Sequence, residues 1–237
     1  RLVWNWDSNN PDDTKPLAPG KLYSRNSANM WSIASVDEDL GMIYLPLGNQ
    51  TPDQWGADRT PGAEKYSAGV VALDLATGKA RWNYQFTHHD LWDMDVGSQP
   101  TLVHLKTDDG VKPAIIVPTK QGSLYVLDRR DGTPIVPIRE IPTPQGAVKG
   151  DHTSPTQARS DLNLLGPELT EQAMWGATPF DQMLCRIQFR ELRYEGQYTP
   201  PSEQGSLIYP GNVGVFNWGS VSVDPVRQLP VSYTHLT

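Results

Sequence analysis

The amino-acid sequence predicts an all-β protein built from short strands. Its 237 residues include 20 glycines and 21 prolines, and these residues interrupt helices or mark turns between short apolar runs. Eight tryptophans and a hydrophobic content of 38% indicate a chain that packs a core. A single all-β domain of this length is ordinary, so one domain is expected.

A hairpin pattern occurs twice in the sequence. Residues 70–84 form an apolar run, a turn around Gly78 and a second run that contains Trp82. Residues 123–137 follow the same order, and their Gly132 comes 54 residues after Gly78. The opening segment around Trp4 resembles the second run. Repeats of this length, each with several strands and a tryptophan, are typical of β-propeller blades.

The remaining elements fit a partial propeller. Further strands are predicted at 42–47 and 114–118, each bounded by glycine or proline. One short helix is predicted from about Pro179 to Leu192, with Thr178 as its N-cap. Residues 138–170 are rich in proline, threonine and serine, and we expect them to form a long excursion between blades.

Charge and motifs exclude several functions. The net charge of -7, without a basic cluster, argues against a nucleic-acid partner. Phosphate-binding glycine loops and a Gly-x-Ser-x-Gly elbow are missing, which disfavours nucleotide cofactors and hydrolases. No apolar run approaches the length of a membrane-spanning helix, and the first residues lack a signal-peptide pattern. We expect the chain to be cut from a longer protein and incomplete at both ends.

The densest polar cluster is the segment His-His-Asp-Leu-Trp-Asp-Met-Asp at residues 88–95. Zinc is disfavoured, because adjacent histidines on a strand point to opposite faces. Oxygen ligands suit Ca²⁺ or Mg²⁺ better, and the candidates are Asn49, Asp90, Asp93 and Asp95. A general base beside a cation and a plain polar turn are the two alternatives to a cation site.

Two Asn/Trp pairs, one ending at Trp31 and one formed by Asn217 and Trp218, lie in strand-like surroundings. An indole offers a flat face to a planar cofactor, and a carboxamide can hydrogen-bond the carbonyls of that cofactor. Packing between blades is the alternative role for both tryptophans. Lys120 follows the strand at 114–118, in a turn where a lysine is usually solvated.

Residues 72–82 resemble the tryptophan-docking motif A-x-D-x-x-T-G-x-x-x-W of the quinoprotein dehydrogenases. Six further segments resemble the membrane-bound glucose dehydrogenase branch of this family, in order: 25–31, 44–56, 88–95, 118–132, 193–205 and 210–225. The resemblance implies part of an eight-bladed propeller that holds pyrroloquinoline quinone (PQQ) and a divalent cation, Ca²⁺ or Mg²⁺. Residues 1–231 would then be part of a single PQQ-binding propeller domain. Residues 232–237 depart from the family pattern and are interpreted as a non-native tail.

The resemblance also implies roles for individual residues. Asp93 would be the catalytic base, and Asp93 and Asn49 would ligate the cation. Four residues would contact the cofactor: Trp31 as the indole beneath its ring, Lys120 as a hydrogen-bond donor to the quinone, and Asn217 with Trp218. A cation close to Asp93 favours its ionised form and weakens it as a base, so carboxylate and metal would share the task.

The activity implied is oxidation of an aldose, D-glucose to D-glucono-1,5-lactone, with electrons passed to ubiquinone. The enzyme would sit in the bacterial inner membrane through an N-terminal anchor outside this chain, with its catalytic domain facing the periplasm. This chain alone is expected to be inactive. The alternatives are a quinate/shikimate or polyol dehydrogenase of the same branch and a non-catalytic propeller scaffold. A soluble alcohol dehydrogenase ranks last, because those enzymes carry adjacent cysteines and this chain has one cysteine.

Overall fold

The computed structural model describes residues 3–23 and 25–232, which form antiparallel sheets with strands in sequence order. One sheet contains β1 (Ser35–Asp37), β2 (Met42–Leu47), β3 (Gly69–Asp74) and β4 (Ala80–Gln85). The next contains β5 (Thr101–Thr107), β6 (Gly110–Pro118) and β7 (Leu124–Asp128). Two hairpins follow, β8 (Ile138–Pro142) with β9 (Thr156–Ser160) and β10 (Ser222–Asp224) with β11 (Leu229–Val231). Successive meanders of this kind are propeller blades, which confirms the predicted all-β, partial propeller.

Strand β3 is buried on both faces. Because side chains alternate along a strand, Val70 and Ala72 pack on one side, in a core that includes Tyr125 of the next sheet. Val71 and Leu73 pack on the other side, in a second apolar cluster. Burial of each large apolar side chain stabilises the fold by roughly 1.5–3 kcal/mol. The apolar run that predicted this strand therefore also fixes it between two layers.

The repeated tryptophans join one sheet to the next. The indole of Trp82 lies on Gly132, where an added Cβ would come within 2.8 Å of the ring, and its N–H donates to the carbonyl of Arg129 at 3.3 Å. Trp4 makes the same contact with Gly78, at 2.6 Å from an added Cβ. Both glycines have positive φ, 72° and 79°, so the turn and the close approach both favour glycine. The sequence repeat is thus a docking contact, which joins two sheets at Trp82 and joins the N-terminal segment to the first sheet at Trp4.

The second copy of the hairpin pattern is less regular than the first. After the turn at Gly132, a single bridge joins Leu127 to Pro134, and residues 133–137 form no full strand. Pro134 and Pro137 have no N–H to donate, which shortens the pairing.

The described residues contain two α-helices. The sequence predicted one of them and missed the other. The predicted helix, residues Pro179–Glu191, has a capping box between Thr178 and Asp181. The missed helix, α1, spans only Pro61–Tyr66. Its Gly62 lowers helix propensity but is required, because a Cβ there would collide with the backbone of Ser8. We call the predicted helix α2; a 3₁₀ turn at Glu171–Ala173 precedes it.

The predicted excursion at 138–170 is partly wrong, because it contains the β8–β9 hairpin. The two strands pair from Ile138 with Ser160 to Pro142 with Thr156. Prolines at or next to the strand ends, where no ladder hydrogen bond is lost, concealed the strands in the sequence.

The C-terminal end and the membrane-spanning character of the chain were also predicted from the sequence. Of the suggested non-native tail, residues 233–237 lie outside the described residues, so that interpretation stays a prediction. Within the described part of the chain, no helix has the length and apolar character needed to cross a bilayer.

Candidate catalytic and cofactor site

The polar segment that follows β4 is a largely buried turn that presents Asp93. Leu91, Trp92 and Met94 are 1–2% exposed and form an apolar cluster with Tyr198. The indole N–H of Trp92 donates to a backbone carbonyl, that of Thr199, at 2.7 Å. Asp93 lies between these anchors with a φ of 62°, a left-handed conformation that aspartate tolerates better than most residues. Its side chain remains 20% exposed, so it faces outward while its neighbours face the core.

Asp90 shapes this turn from within. One carboxylate oxygen accepts the N–H of Trp92 at 2.8 Å, and the other accepts the N–H of Met94 at 2.6 Å. The second oxygen also accepts a side-chain N–H of Asn49 at 2.7 Å, and Arg59 donates to the Asp90 carbonyl. Burial raises the pKa of Asp90 to about 6. Both of its oxygens are occupied, so Asp90 braces the turn and the adjacent amide.

Lys120 pairs with Asp93 and is not a solvated turn residue. Its Nζ lies 3.3 Å from Asp93 Oδ2 and donates to the Asp93 carbonyl at 2.8 Å. Only 4% of Lys120 is exposed, and the backbone of Gly214 packs so closely that a Cβ there would collide with it. Burial raises the pKa of Asp93 above its ordinary value of 3.8, and the Lys120 ammonium only partly offsets this rise. The result is a carboxylate with increased proton affinity.

Trp31 forms an accessible aromatic platform beside this pair. Its N–H donates to Asp95 Oδ2 at 2.7 Å, and the residue is 41% exposed. Trp218 stands edge-on to it, with ring centroids 6.1 Å apart and planes at 65°. The Lys120 Nζ lies 5.6 Å from the Trp31 ring centroid. The two tryptophans also line an open groove of about 460 Å³. Neither Asp93 nor Lys120 lines that groove; the contacts of Lys120 with Trp31 and Asp93 connect the pair to the two tryptophans.

Two asparagine side chains near this region have buried amide oxygens. The Oδ1 atoms of Asn49 and Asn217 are buried, and neither has a hydrogen-bond partner within residues 3–23 and 25–232. The amide nitrogens are occupied: that of Asn49 by Asp90, and that of Asn217 by the Val213 carbonyl at 2.8 Å. A buried acceptor without a partner costs about 1–3 kcal/mol, so both oxygens are suited to a ligand.

These groups fit a hard cation and a planar quinone. Ca²⁺ and Mg²⁺ take oxygen ligands, and the free Asn49 oxygen and the Asp93 carboxylate belong to two segments that Asp90 ties together. A planar cofactor needs an aromatic face and hydrogen-bond donors, which Trp31 and Lys120 supply. The Asn49, Trp31 and Lys120 environments are thus consistent with the roles that the sequence predicts.

Sequence reasoning did not recognise the positions that hold this site together. Asp95 was a candidate cation ligand, but both of its oxygens accept hydrogen bonds, from Trp31 and from the backbone N–H of Asn49 at 3.0 Å. Gly97 had no predicted role. A Cβ at Gly97 would lie 2.6 Å from the Trp31 ring and 2.8 Å from Asn217 Oδ1. No local signal marks either role, because the partners are 46 to 120 residues away.

The histidines of the polar segment belong to a different cluster. His88 contacts Gln85 and Glu140, whereas His89 is buried and points the other way. His89 Nδ1 lies 2.9 Å from Glu64, and its Nε2 lies 2.8 Å from Asp151. Ligand atoms of Glu64, His89 and His152 lie within 4.8 Å of one another. Because each ring nitrogen of His89 faces a carboxylate, the arrangement is that of an imidazolium between two anions.

Comparison with known proteins connects this site to one family. The sequence model of the PQQ family described as "Glucose/ethanol/alcohol dehydrogenase, beta-propeller domain" matches residues 1–236. The chain is 53% identical over 232 residues to the quinoprotein glucose dehydrogenase of Gluconobacter oxydans, covering 97% of this chain and 29% of that protein. It is 47% identical over 232 residues to the quinoprotein glucose dehydrogenase of Escherichia coli, covering 98% and 29%.

A relative named for a different substrate is also similar. The quinate/shikimate dehydrogenase (quinone) of Acinetobacter baylyi is 44% identical over 231 residues, with 96% of this chain and 29% of that protein covered. Among solved structures, a europium-containing methanol dehydrogenase superposes with a TM-score of 0.53 at 23% identity. The superposition covers 88% of this chain and 30% of that chain, and it supports the propeller fold. The chain spans about three tenths of the length of these curated relatives. Because the family model covers nearly every residue, this chain belongs to the PQQ-dependent glucose/ethanol/alcohol dehydrogenase family and forms part of its β-propeller domain.

Proposed function

We propose that this chain carries the catalytic base of a PQQ-dependent aldose dehydrogenase that oxidises D-glucose to D-glucono-1,5-lactone. The observation that carries the proposal is the Asp93–Lys120 pair beside the exposed Trp31. The two quinoprotein glucose dehydrogenases that are about half identical to the chain support the choice of substrate. When bound, PQQ supplies the acceptor for the hydride that leaves sugar C1, and Ca²⁺ or Mg²⁺ supplies a Lewis acid.

Asp93 takes the proton of the anomeric hydroxyl. Its partial exposure leaves the carboxylate open to a substrate, and burial raises its pKa, which increases its strength as a base. Lys120 opposes part of that rise, because its ammonium favours the ionised form of the carboxylate, the form that accepts a proton. The two residues together set the protonation state in which Asp93 can act.

Lys120 also retains a donor for the cofactor. An ammonium group has three N–H bonds, and here one is directed to the Asp93 carbonyl and a second to Oδ2. The third would be available to an oxygen of bound PQQ. Trp31 and Trp218 would hold the planar ring, Asn217 would offer its free amide oxygen, and Asn49 with Asp93 would supply oxygen ligands to the cation.

The wider setting is part of the same proposal. Residues 1–231 form part of a single PQQ-binding propeller domain, and the electrons pass to ubiquinone. The enzyme belongs to the bacterial inner membrane, with this domain facing the periplasm and an anchor elsewhere in the protein. The name of the similar quinate/shikimate dehydrogenase (quinone), which gives a quinone as acceptor, supports the electron route.

A quinate/shikimate or polyol dehydrogenase is the second candidate. It is favoured by the 44% identity to the quinate/shikimate enzyme and the 45% identity to a glycerol dehydrogenase large subunit of Gluconobacter oxydans. The test is kcat/KM of the full-length enzyme, reconstituted with PQQ and Ca²⁺ or Mg²⁺, for glucose, quinate and glycerol. A higher value for quinate or glycerol would replace the proposed substrate. No turnover with any sugar or polyol would favour a scaffold.

Replacement of the base tests the mechanism directly. In the full-length enzyme we expect Asp93→Asn to lower kcat by about 10²- to 10⁴-fold, because the amide cannot accept the proton. PQQ binding should persist, since the Trp31 platform is unchanged. Asp109→Asn is the matched control, because Asp109 has an 82% exposed side chain on another loop and should leave kcat unchanged. Near-normal turnover in Asp93→Asn would contradict the assignment.

A further inference from the structure

Asp95 links two groups that the proposed function assigns to different ligands. It is 5% exposed, and its two carboxylate oxygens hold two separate segments. Oδ2 accepts the indole N–H of Trp31 at 2.7 Å, and Oδ1 accepts the backbone N–H of Asn49 at 3.0 Å. Hydrogen bonds to a buried carboxylate are charge-assisted and are roughly twice as strong as neutral ones. One side chain thus restrains both the aromatic platform and the residue with the free amide oxygen.

The surrounding backbone packs tightly around this link. An added Cβ at Gly48 would lie 2.7 Å from the Asp95 carboxylate and 2.6 Å from Asn29 Oδ1. Asn29 donates its side-chain N–H to the Asn49 carbonyl at 2.7 Å, and the Gly48 N–H donates to the Asn29 carbonyl at 2.9 Å. The segments that contain Trp31, Asn49 and Asp95 therefore form one hydrogen-bonded unit with little room to shift.

We propose that Asp95 is a positioning residue that fixes Trp31 relative to Asn49, so that the platform for PQQ and a ligand of the cation are energetically coupled. The inference rests on the proposed function, because that function assigns PQQ to Trp31 and the cation to Asn49. A cation that orders Asn49 also restrains Asp95, and Asp95 restrains the indole on which PQQ lies. Two ligands that order the same unit favour each other, and such coupling typically amounts to about 5- to 150-fold in affinity.

The decisive variant is Trp31→Phe, because it removes the indole N–H and keeps an aromatic ring. Trp31 has no ligand atom for a cation, and Trp31→Phe keeps a ring beside Lys120, so an effect on cation affinity points to the lost hydrogen bond to Asp95. In the full-length enzyme freed of PQQ, we expect Trp31→Phe to weaken Ca²⁺ binding by about threefold to tenfold, as calorimetric titration measures. Trp218→Phe is the matched control, since Trp218 lies against Trp31 without a hydrogen bond to Asp95, and Ca²⁺ affinity should stay within twofold.

Asp95→Asn provides a second test. An amide can accept only one of the two N–H groups and presents its own N–H₂ to the other, so we expect PQQ affinity to fall by about tenfold. In the double variant with Trp31→Phe, the loss of PQQ affinity should be clearly smaller than the product of the two single losses, because both changes break the same hydrogen bond.

Three results would overturn the inference. The first is an unchanged Ca²⁺ affinity in Trp31→Phe, and the second is an equal loss in Trp218→Phe. The third is a loss of Ca²⁺ affinity in Asp95→Asn together with fully multiplicative effects in the double variant, which would make Asp95 a direct cation ligand. The proposed function is tested separately, by the turnover of Asp93→Asn. Normal turnover in that variant would contradict the proposed function and would not change the affinities for Ca²⁺ and PQQ measured in the Trp31 and Asp95 variants.

Discussion

Gly97 offers a sharp test of the cofactor platform, because its missing side chain leaves the room that Trp31 occupies. In Gly97→Ala, the new Cβ would lie 2.6 Å from one carbon of the indole, 3.0 Å from a second and 2.8 Å from Asn217 Oδ1. Ordinary contacts between carbon atoms are about 3.5–4.0 Å, so the ring has to move by about 1 Å. Gly97 has no left-handed φ, so alanine adds steric contact without backbone strain.

The direction of that movement decides which property changes. The Trp31 N–H is held by Asp95, and the ring is 41% exposed on its open side. The indole is therefore expected to tilt outward, into the space assigned to PQQ. Overpacking of this kind costs about 1–3 kcal/mol. Because 1.36 kcal/mol corresponds to a factor of ten, we expect the Kd of PQQ to rise by about 5- to 150-fold.

The assay is titration of the full-length apoenzyme with PQQ at a fixed Ca²⁺ concentration, followed by quenching of tryptophan fluorescence. Gly211→Ala is the matched control, because an added Cβ at Gly211 meets no atom within 4 Å and its φ is ordinary. We expect Gly211→Ala to bind PQQ like the unmodified enzyme. A Kd for Gly97→Ala within twofold of the unmodified value, or an equal loss in both variants, would refute the placement of PQQ on Trp31.

Two further predictions concern charge. Lys120→Met removes the ammonium that lowers the pKa of Asp93, so the acidic limb of the plot of kcat/KM against pH should move to higher pH. Lys120→Arg keeps the charge and should shift this limb less. An unmoved acidic limb in Lys120→Met would contradict this account. The contact of His89 with the buried Asp151 should stabilise the fold by about 1.5–3 kcal/mol, and His89→Gln should lower the unfolding temperature accordingly. The pKa of His89 is raised above 6.5, and that of Glu64 is lowered below 4.5. The stabilisation by His89 should therefore be largest between pH 4.5 and 6.5 and should decline as pH rises through the raised pKa of His89. A difference in unfolding temperature between His89→Gln and the unmodified protein that does not vary with pH would contradict this prediction.

The sequence predicts the features of this fold that depend on local pattern. The hairpin at 70–84, the strand at 42–47 and α2 with its Thr178 cap each follow from periodicity, turn residues or capping within one short segment. Helix α1 and the β8–β9 hairpin were missed because glycine and proline obscured the local signal. Tertiary contacts, which a single segment does not encode, decide these elements.

The same limit applies to the three carboxylates of the segment at 88–95. From the sequence, Asp90, Asp93 and Asp95 are equivalent candidates for a cation ligand or a base. Contacts with residues far along the chain distinguish them: Asp90 is occupied by its own turn and Asn49, and Asp95 is occupied by Trp31 and Asn49. Of the three, only Asp93 has a partly exposed side chain and a lysine partner. Resemblance to a family selected Asp93 as the base, and its contacts with Lys120 give a physical reason to test that role first.

This division of roles also explains why a cation suits the site. Burial is the main cause that raises the pKa of Asp90 and of Asp93, and the charge of Asp95 adds to the rise at both carboxylates. The single ammonium of Lys120 outweighs the repulsion from Asp95 at Asp93 but offsets only part of the cost of burial. A divalent cation beside Asn49 would relieve the remainder, so cation binding should stabilise the turn that presents the base. Conversely, loss of the cation should raise the pKa of Asp93 and leave the amide oxygen of Asn49 without a partner. The protonation of the base therefore depends on whether the metal site is occupied.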